Sequence, residues 1–236
     1  MEAMFYGCNA LTSLDLSSFN TQSLTEMDHM FTNCKALTSI DLGDNFYIGN
    51  VKNMEYVFCG CSSLEFIDFK TFDTWRINNM EGMFLGCTNL KSILNGEKFS
   101  TFRCENMSNM FYGCKSLTSI KLGSGFNFIN AKNISGMFSG CSSLVSINLE
   151  YDSISEYKDV TNMMQMFYGC EKLESIDLSK FTFEDCQVFD LMLEKVGKGI
   201  KSAKTTIKVS QKGYDNLKNY ETGINPKHAK FTIVHL

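Results

Sequence analysis

Ten cysteines and three histidines are the side chains of this 236-residue chain best suited to metal binding or nucleophilic attack. Zinc sites gather two to four thiolates or imidazoles, mostly from C-x-x-C or similar spacings, and a nucleophilic thiolate needs a base beside it. Seven of the cysteines stand singly instead, at Cys8, Cys34, Cys61, Cys87, Cys114, Cys141 and Cys170, separated by 26, 27, 26, 27, 27 and 29 residues. One thiol per repeat reads as a column of small buried hydrophobes, since free cysteine is readily buried. An odd count with parallel side chains also argues against a regular set of disulfides. Cys59, Cys104 and Cys186 lie off the series, and Cys59 with Cys61 is a lone C-x-C. The histidines are His29, His228 and His235. His29 occupies a slot filled elsewhere by Tyr56, Gly82, Asn109, Gly136 and Gln165, which reads as a variable surface position. No nucleophile elbow, phosphate loop or metalloprotease motif accompanies them. The expectation is a protein that is not an enzyme, with no cofactor and no metal.

The cysteines belong to a longer motif, MF-x-G-C-x-x-L, whose aromatic falls at Phe5, Phe31, Phe58, Phe84, Phe111, Phe138 and Phe167. Met27, Met30, Phe31, Cys34 and Leu37 sit at i, i+3, i+4, i+7 and i+10, the spacing of one face of a short helix. Leu37, Ile40 and Leu42 then alternate with polar residues, as in a short strand. Asn53, Asn79, Asn106, Asn133 and Asn162 stand where a helix would take its amino-terminal cap, and Gly7, Asn33, Gly60, Gly86, Gly113, Gly140 and Gly169 where it would end. A unit of 26 or 27 residues cannot bury its Met, Phe and Leu face alone, so neighbours must stack. The spacing predicts an α/β solenoid of the leucine-rich-repeat type, with a parallel sheet on one side and short helices on the other. Seven rungs would span residues 1–182 and a carboxy-terminal cap 183–236. In that cap, Cys186, Phe189, Met192, Leu193 and Val196 mark a last helix, followed by a strand, a polar helix or turn and a closing strand, with Pro226 in the loop. Rung six departs from the pattern, with Tyr151 and Ile154 in a longer connection.

The net charge of −4 gives no electrostatic footprint for nucleic acid. No apolar run approaches the roughly 18 residues of a membrane span, and the opening MEAMFYGCNA lacks a leader pattern. Met1 aligns with Met54, Met80 and Met107, so the chain opens partway into a rung. Solenoids need capped ends, so the expectation is a fragment, or pairing with another molecule through the uncapped amino-terminal end.

Strand residues pointing away from the core should line a concave recognition surface. One such slot reads Ser13, Ser39, Phe66, Ser92, Ser119, Ser146 and Ser175, and Phe66 interrupts it. It is either a binding hot spot or a ring in contact with Phe69 or a loop. The next slot reads Asp15, Asp41, Asp68, Leu94, Lys121, Asn148 and Asp177. Its first three carboxylates, stacked at about 5 Å, would repel unless screened by water or by a cation or basic partner. Phe66, Asp15, Asp41 and Asp68 are therefore the candidate ligand-binding residues.

Segments such as NMEGMFLGCTNLKSI and NMFYGCKSLTSIKL resemble the 26-residue repeats of bacterial surface proteins grouped as BspA-like leucine-rich-repeat proteins, over about three quarters of the chain. The resemblance implies a module at the cell surface or secreted, with an adhesion-type role toward protein or glycan ligands. The alternative is a spacer that projects another domain and has no ligand of its own.

Overall fold

Each Ser-Ile-Asp-like triplet after a ladder leucine becomes a strand whose middle residue points inward. A computed structural model describes residues 1–96, 99–120, 123, 125–147, 149, 155–200, 205–217 and 231–235. The triplets are β1 (Ser13–Asp15), β2 (Ser39–Asp41), β3 (Phe66–Asp68), β4 (Ser92–Leu94), β5 (Ser119–Ile120), β6 (Ser146–Ile147) and β7 (Ser175–Asp177). Successive triplets lie parallel and in register, Ser13 on Ser39, Ile67 on Ile93 and Ile147 on Ile176. The ladders break into three sheets, β1-β2, β3-β4 and one that starts at β5. That last sheet runs through β6 and β7 into β8 (Thr205–Val209) and β9 (Phe231–His235), with α1 (Gln211–Leu217) between them. The two strands expected beyond residue 200 are thus present, and the segment expected as a polar helix or turn begins with α1. Lys121, Asn148, Tyr151, Ile154, Pro226 and His228 lie outside the described residues.

The architecture is a parallel-sheet β-solenoid, and the expected row of helices is corrected to a row of turns. Among the described residues α1 is the one α-helix. The residues from Met54 to Cys61 show why. Met54, Tyr56, Phe58 and Gly60 donate their backbone N–H groups to Asn79, Glu81, Met83 and Leu85 of the next rung, at 2.7–2.9 Å. The residues between them close tight turns on their own rung, Cys59 N–H to the Tyr56 carbonyl and Cys61 N–H to Phe58, both at 3.1 Å. Donors aimed at a neighbouring chain segment cannot also make the i to i−4 bonds of an α-helix. Two left-handed residues four positions apart impose this path at every corner, from Ala3 and Gly7 through Tyr56 (φ 53°) and Gly60 (φ 72°) to Gln165 and Gly169. An α-helix of L-residues contains none.

The corner recurs once more than the seven-rung ladder implied. Leu191 and Lys195 carry positive φ, and Met163, Gln165, Phe167 and Gly169 donate to Val188, Asp190, Met192 and Glu194. The segment expected as a last helix is an eighth corner, in which Leu193 and Val196 hold the places of the phenylalanine and the cysteine.

The core is a stack of repeating layers. Phe31, Phe58, Phe84, Phe111, Phe138 and Phe167 are wholly buried, and from Phe5 to Phe167 each ring lies nearly parallel to the next at 5.3–5.6 Å. Each buried side chain of this size contributes about 1.5–3 kcal/mol, and an aromatic pair adds about 0.5–1.5. A second aromatic row runs beneath the loops, where Phe69 stacks on Phe72 at 4.8 Å and on Phe99 at 5.2 Å. Phe5, Leu11 and Leu14 of the first rung are only half-buried.

Candidate functional site

The thiol ladder is built into the backbone. Cys34, Cys61, Cys87, Cys114, Cys141 and Cys170 each donate their S–H to the carbonyl of the preceding rung's ladder phenylalanine, at 3.0–3.2 Å. Burial pushes Cys61 and Cys170 up to about 12 and raises Cys87, Cys114 and Cys141 well above the ordinary 9.0. A thiol so held is a poor nucleophile and a poor metal ligand. Cys8 is exposed and Cys59 half-buried. Among the described residues, no three His, Cys, Asp or Glu are arranged to hold a metal ion. His29 occupies a left-handed corner position, stacked on Tyr56 at 5.1 Å with its Nδ1 3.4 Å from the Thr32 hydroxyl.

The asparagines expected as helix caps make the capping contact without a helix to cap. Asn79 and Asn106 accept the N–H two residues on at 3.1 Å, and their amides donate back to Glu55 and Glu81 of the preceding rung at 3.1 and 2.8 Å.

On the strand face, Phe66 is 45% exposed, in register with Ser92, while Phe69 turns inward to the core. Asp15 and Asp41 are neighbours across the β1–β2 ladder, whereas Asp68 stands in the next sheet opposite Leu94. All three close turns: Asp15 accepts the Ser17 N–H, Asp41 that of Gly43 and Asp68 that of Lys70, at 2.8–2.9 Å. Hydrogen bonds from Ser17 hold Asp15 below the usual carboxylate range. The Lys70 ammonium, 2.7 Å from Asp44, is held up by that carboxylate and by Asp68 and Asp41. The nearest paired cation, Lys70, is thus engaged by Asp44 rather than by the column itself. Just beyond these strand ends lies an open polar groove of about 790 Å³, lined by Ser17, Asn20, Asp44, Tyr47 and Lys70 among others.

One cluster carries no mark in the repeat motif. Arg76 and Arg103, the two arginines of the chain, both stack on its single tryptophan, Trp75, each guanidinium carbon 4.8 Å from the ring centre. The signal available was their 27-residue separation, one full rung.

Taken together, a stack of near-identical turns with a polar strand face defines a repeat protein of solenoid architecture. A family described as Mycoplasma protein of unknown function, DUF285, matches residues 1–66, 52–176 and 125–212, and the chain belongs to it. No curated protein matches the chain. No helix among the described residues is long and apolar enough to cross a membrane.

Proposed function

We propose that the protein is a non-enzymatic binding module of the BspA-like leucine-rich-repeat kind, displayed at the cell surface or secreted, which takes protein or glycan ligands on its strand face. The observation that carries this is Phe66, a 45% exposed ring in a column of serines. Aromatic side chains bring large contact area at small entropic cost and dominate interface energetics, whereas serine on a flat strand contributes little. The polar groove beyond the strand ends, lined by Asp44, Lys70 and the exposed Tyr47, supplies further hydrogen-bonding groups.

The test is an array of matrix proteins and glycans probed with the parent chain and with Phe66→Ala. At least one ligand should bind the parent, and the variant should lose tenfold or more without a change in thermal midpoint. An array on which nothing binds, or on which Phe66→Ala binds like the parent, removes the support for this reading. Capture of the protein from intact cells by a membrane-impermeant biotin reagent, with a cytosolic control left behind, tests its placement. A second reading, a spacer with no ligand of its own, draws on the unbroken phenylalanine stack, which suits a stiff rod. It predicts capture at the surface with an empty array.

A further inference from the structure

Both arginines and the one tryptophan of a 236-residue chain meet on a single exposed loop face. Arg76 and Arg103 occupy equivalent places on successive rungs, so the solenoid repeat itself brings the second guanidinium over the ring that precedes the first in sequence. Each guanidinium held over the ring keeps hydrogen-bond donors for a ligand, since a cation–π contact uses its charge. Among the described residues, Arg76, Arg103 and Lys52 have no ion-pair partner. They line an open groove of about 470 Å³ with Lys132, against two carboxylates, Glu105 and Asp159. Glu105 is held by Lys132 at 2.7 Å. The lining therefore carries a surplus of two positive charges, on a chain whose net charge is −4. Beside the cations, Trp75 is 40% exposed and Phe102, its counterpart one rung on, 52%.

We infer that this groove is a binding site for an acidic peptide segment, whose carboxylates take the guanidinium edges of Arg76 and Arg103 while an apolar side chain covers Trp75 and Phe102. Planar forks preorganised on an indole match carboxylates in a bidentate manner. The exposed aromatic pair favours a peptide, which carries apolar groups next to its charges, over a densely charged polymer. Glu105 and Asp159 in the same lining would repel a continuous polyanion, whereas spaced carboxylates avoid them. The inference rests on the reading of the chain as a binding module, and places a second site on it away from the strand face.

The whole chain should be titrated against an array of synthetic peptides carrying two glutamates and two apolar residues in every order. Matched peptides with glutamine, a heparin-derived sulfated oligosaccharide and inorganic phosphate are run beside them. Calorimetry gives the affinity, and Trp75, the only indole, gives a fluorescence signal at the site. Glutamate peptides should bind, shift the Trp75 emission and weaken with added salt. Arg76→Gln and Arg103→Gln should each weaken them tenfold or more with an unchanged thermal midpoint, and Phe66→Ala should leave them bound. Equal binding of the glutamine peptides, binding of the oligosaccharide or phosphate but no peptide, or indifference to both arginine variants would each overturn the inference. An empty matrix and glycan array with peptides still bound here would defeat the strand-face reading and leave this one standing. The converse result would do the reverse.

Discussion

Cys87 hands its thiol hydrogen across a rung boundary to the carbonyl of Phe58, with 3.0 Å between sulfur and oxygen. The same carbonyl accepts the Cys61 N–H of its own rung at 3.1 Å. Two donors converge on one buried acceptor, and one of them must be small, apolar in bulk and able to donate. Cysteine meets all three conditions. The ladder cysteines are therefore pins between layers, and their spacing reports the geometry of the stack.

Alkaline pH should loosen the stack. Burial pushes Cys61, Cys104 and Cys170 up to about 12 and Cys186 to about 11, with Cys87, Cys114 and Cys141 well above the ordinary value. A raised folded-state value means that the folded chain holds the proton more tightly than the unfolded one. The stabilisation is complete below the ordinary 9.0 and is lost as pH rises through the window up to about 12. Within it each buried thiol removes about 1.4 kcal/mol per pH unit. Urea midpoints should fall steeply from pH 9 upward, and less steeply in a Cys87→Ala, Cys114→Ala double variant. A midpoint flat to pH 11 would show that the thiols titrate as they do in the unfolded chain.

Thiol labelling of the native protein offers a second view of the same column. Cys8 should react within minutes with a maleimide at pH 7.5, Cys59 more slowly, and the eight buried cysteines only after denaturant is added. Fast modification of any of the eight would restore the case for a reactive thiol.

Depth within the aromatic stack should set the cost of removing a ring. Phe111 is wholly buried between Phe84 and Phe138, at 5.5 and 5.6 Å, so Phe111→Ala should destabilise by about 3–5 kcal/mol. Phe5 is half-buried and has one stacking neighbour, Phe31, so Phe5→Ala should cost about half as much. Equal losses in a denaturant titration would contradict the layered core.

The asparagine ladder predicts a pH signature of its own. Asn106→Ala should cost about 1–2 kcal/mol, since the side chain accepts from Ser108 and donates to Glu81. Asn106→Asp keeps the acceptor but sets a carboxylate 2.8 Å from that of Glu81, where the amide now lies. Its loss should be larger at pH 7 and shrink as pH falls through the carboxylate range, which thermal midpoints at pH 4 and 7 would read.

Gly43 tests the strand-end turns. Its φ is +66°, and a Cβ there would fall 2.5 Å from the Cα of Ser17. Gly43→Ala should cost at least about 2 kcal/mol by thermal or urea unfolding, through left-handed strain and a backbone clash that no rotamer relieves.

The strands were legible because Ser39, Ile40 and Asp41 alternate in the period a half-buried strand requires. The corners are not legible in the same way, because Met27, Met30, Phe31 and Cys34 have the spacing of a helical face, and a chain of turns produces the same one-sided burial. The distinguishing residues are those with positive φ, and one of their two slots is filled by His29, Tyr56, Gly82, Asn109, Gly136 and Gln165. No shared chemistry marks that slot, because the inter-rung hydrogen bonds hold the backbone whatever the side chain. Gly82, Asn109 and Gly136 were the available hint. The eighth corner was hidden by Leu193, Lys195 and Val196 in place of Phe, Gly and Cys. Phe66 and the aspartates could be placed from strand alternation alone, whereas the meeting of Arg76 and Arg103 on Trp75 depends on a contact one rung away in the chain.

The first seven corners offer the same row of donors forward and the same row of acceptors behind, so at its corner an interior rung can neighbour another interior rung. Removing the 27 residues that separate Phe84 from Phe111 would bring Met83 to Phe111 with each hydrogen bond re-formed, while removing 13 would leave two half-corners facing each other. The molecule can lengthen or shorten only in whole turns, as a chain does by links, and its reach can change without any redesign of its interior.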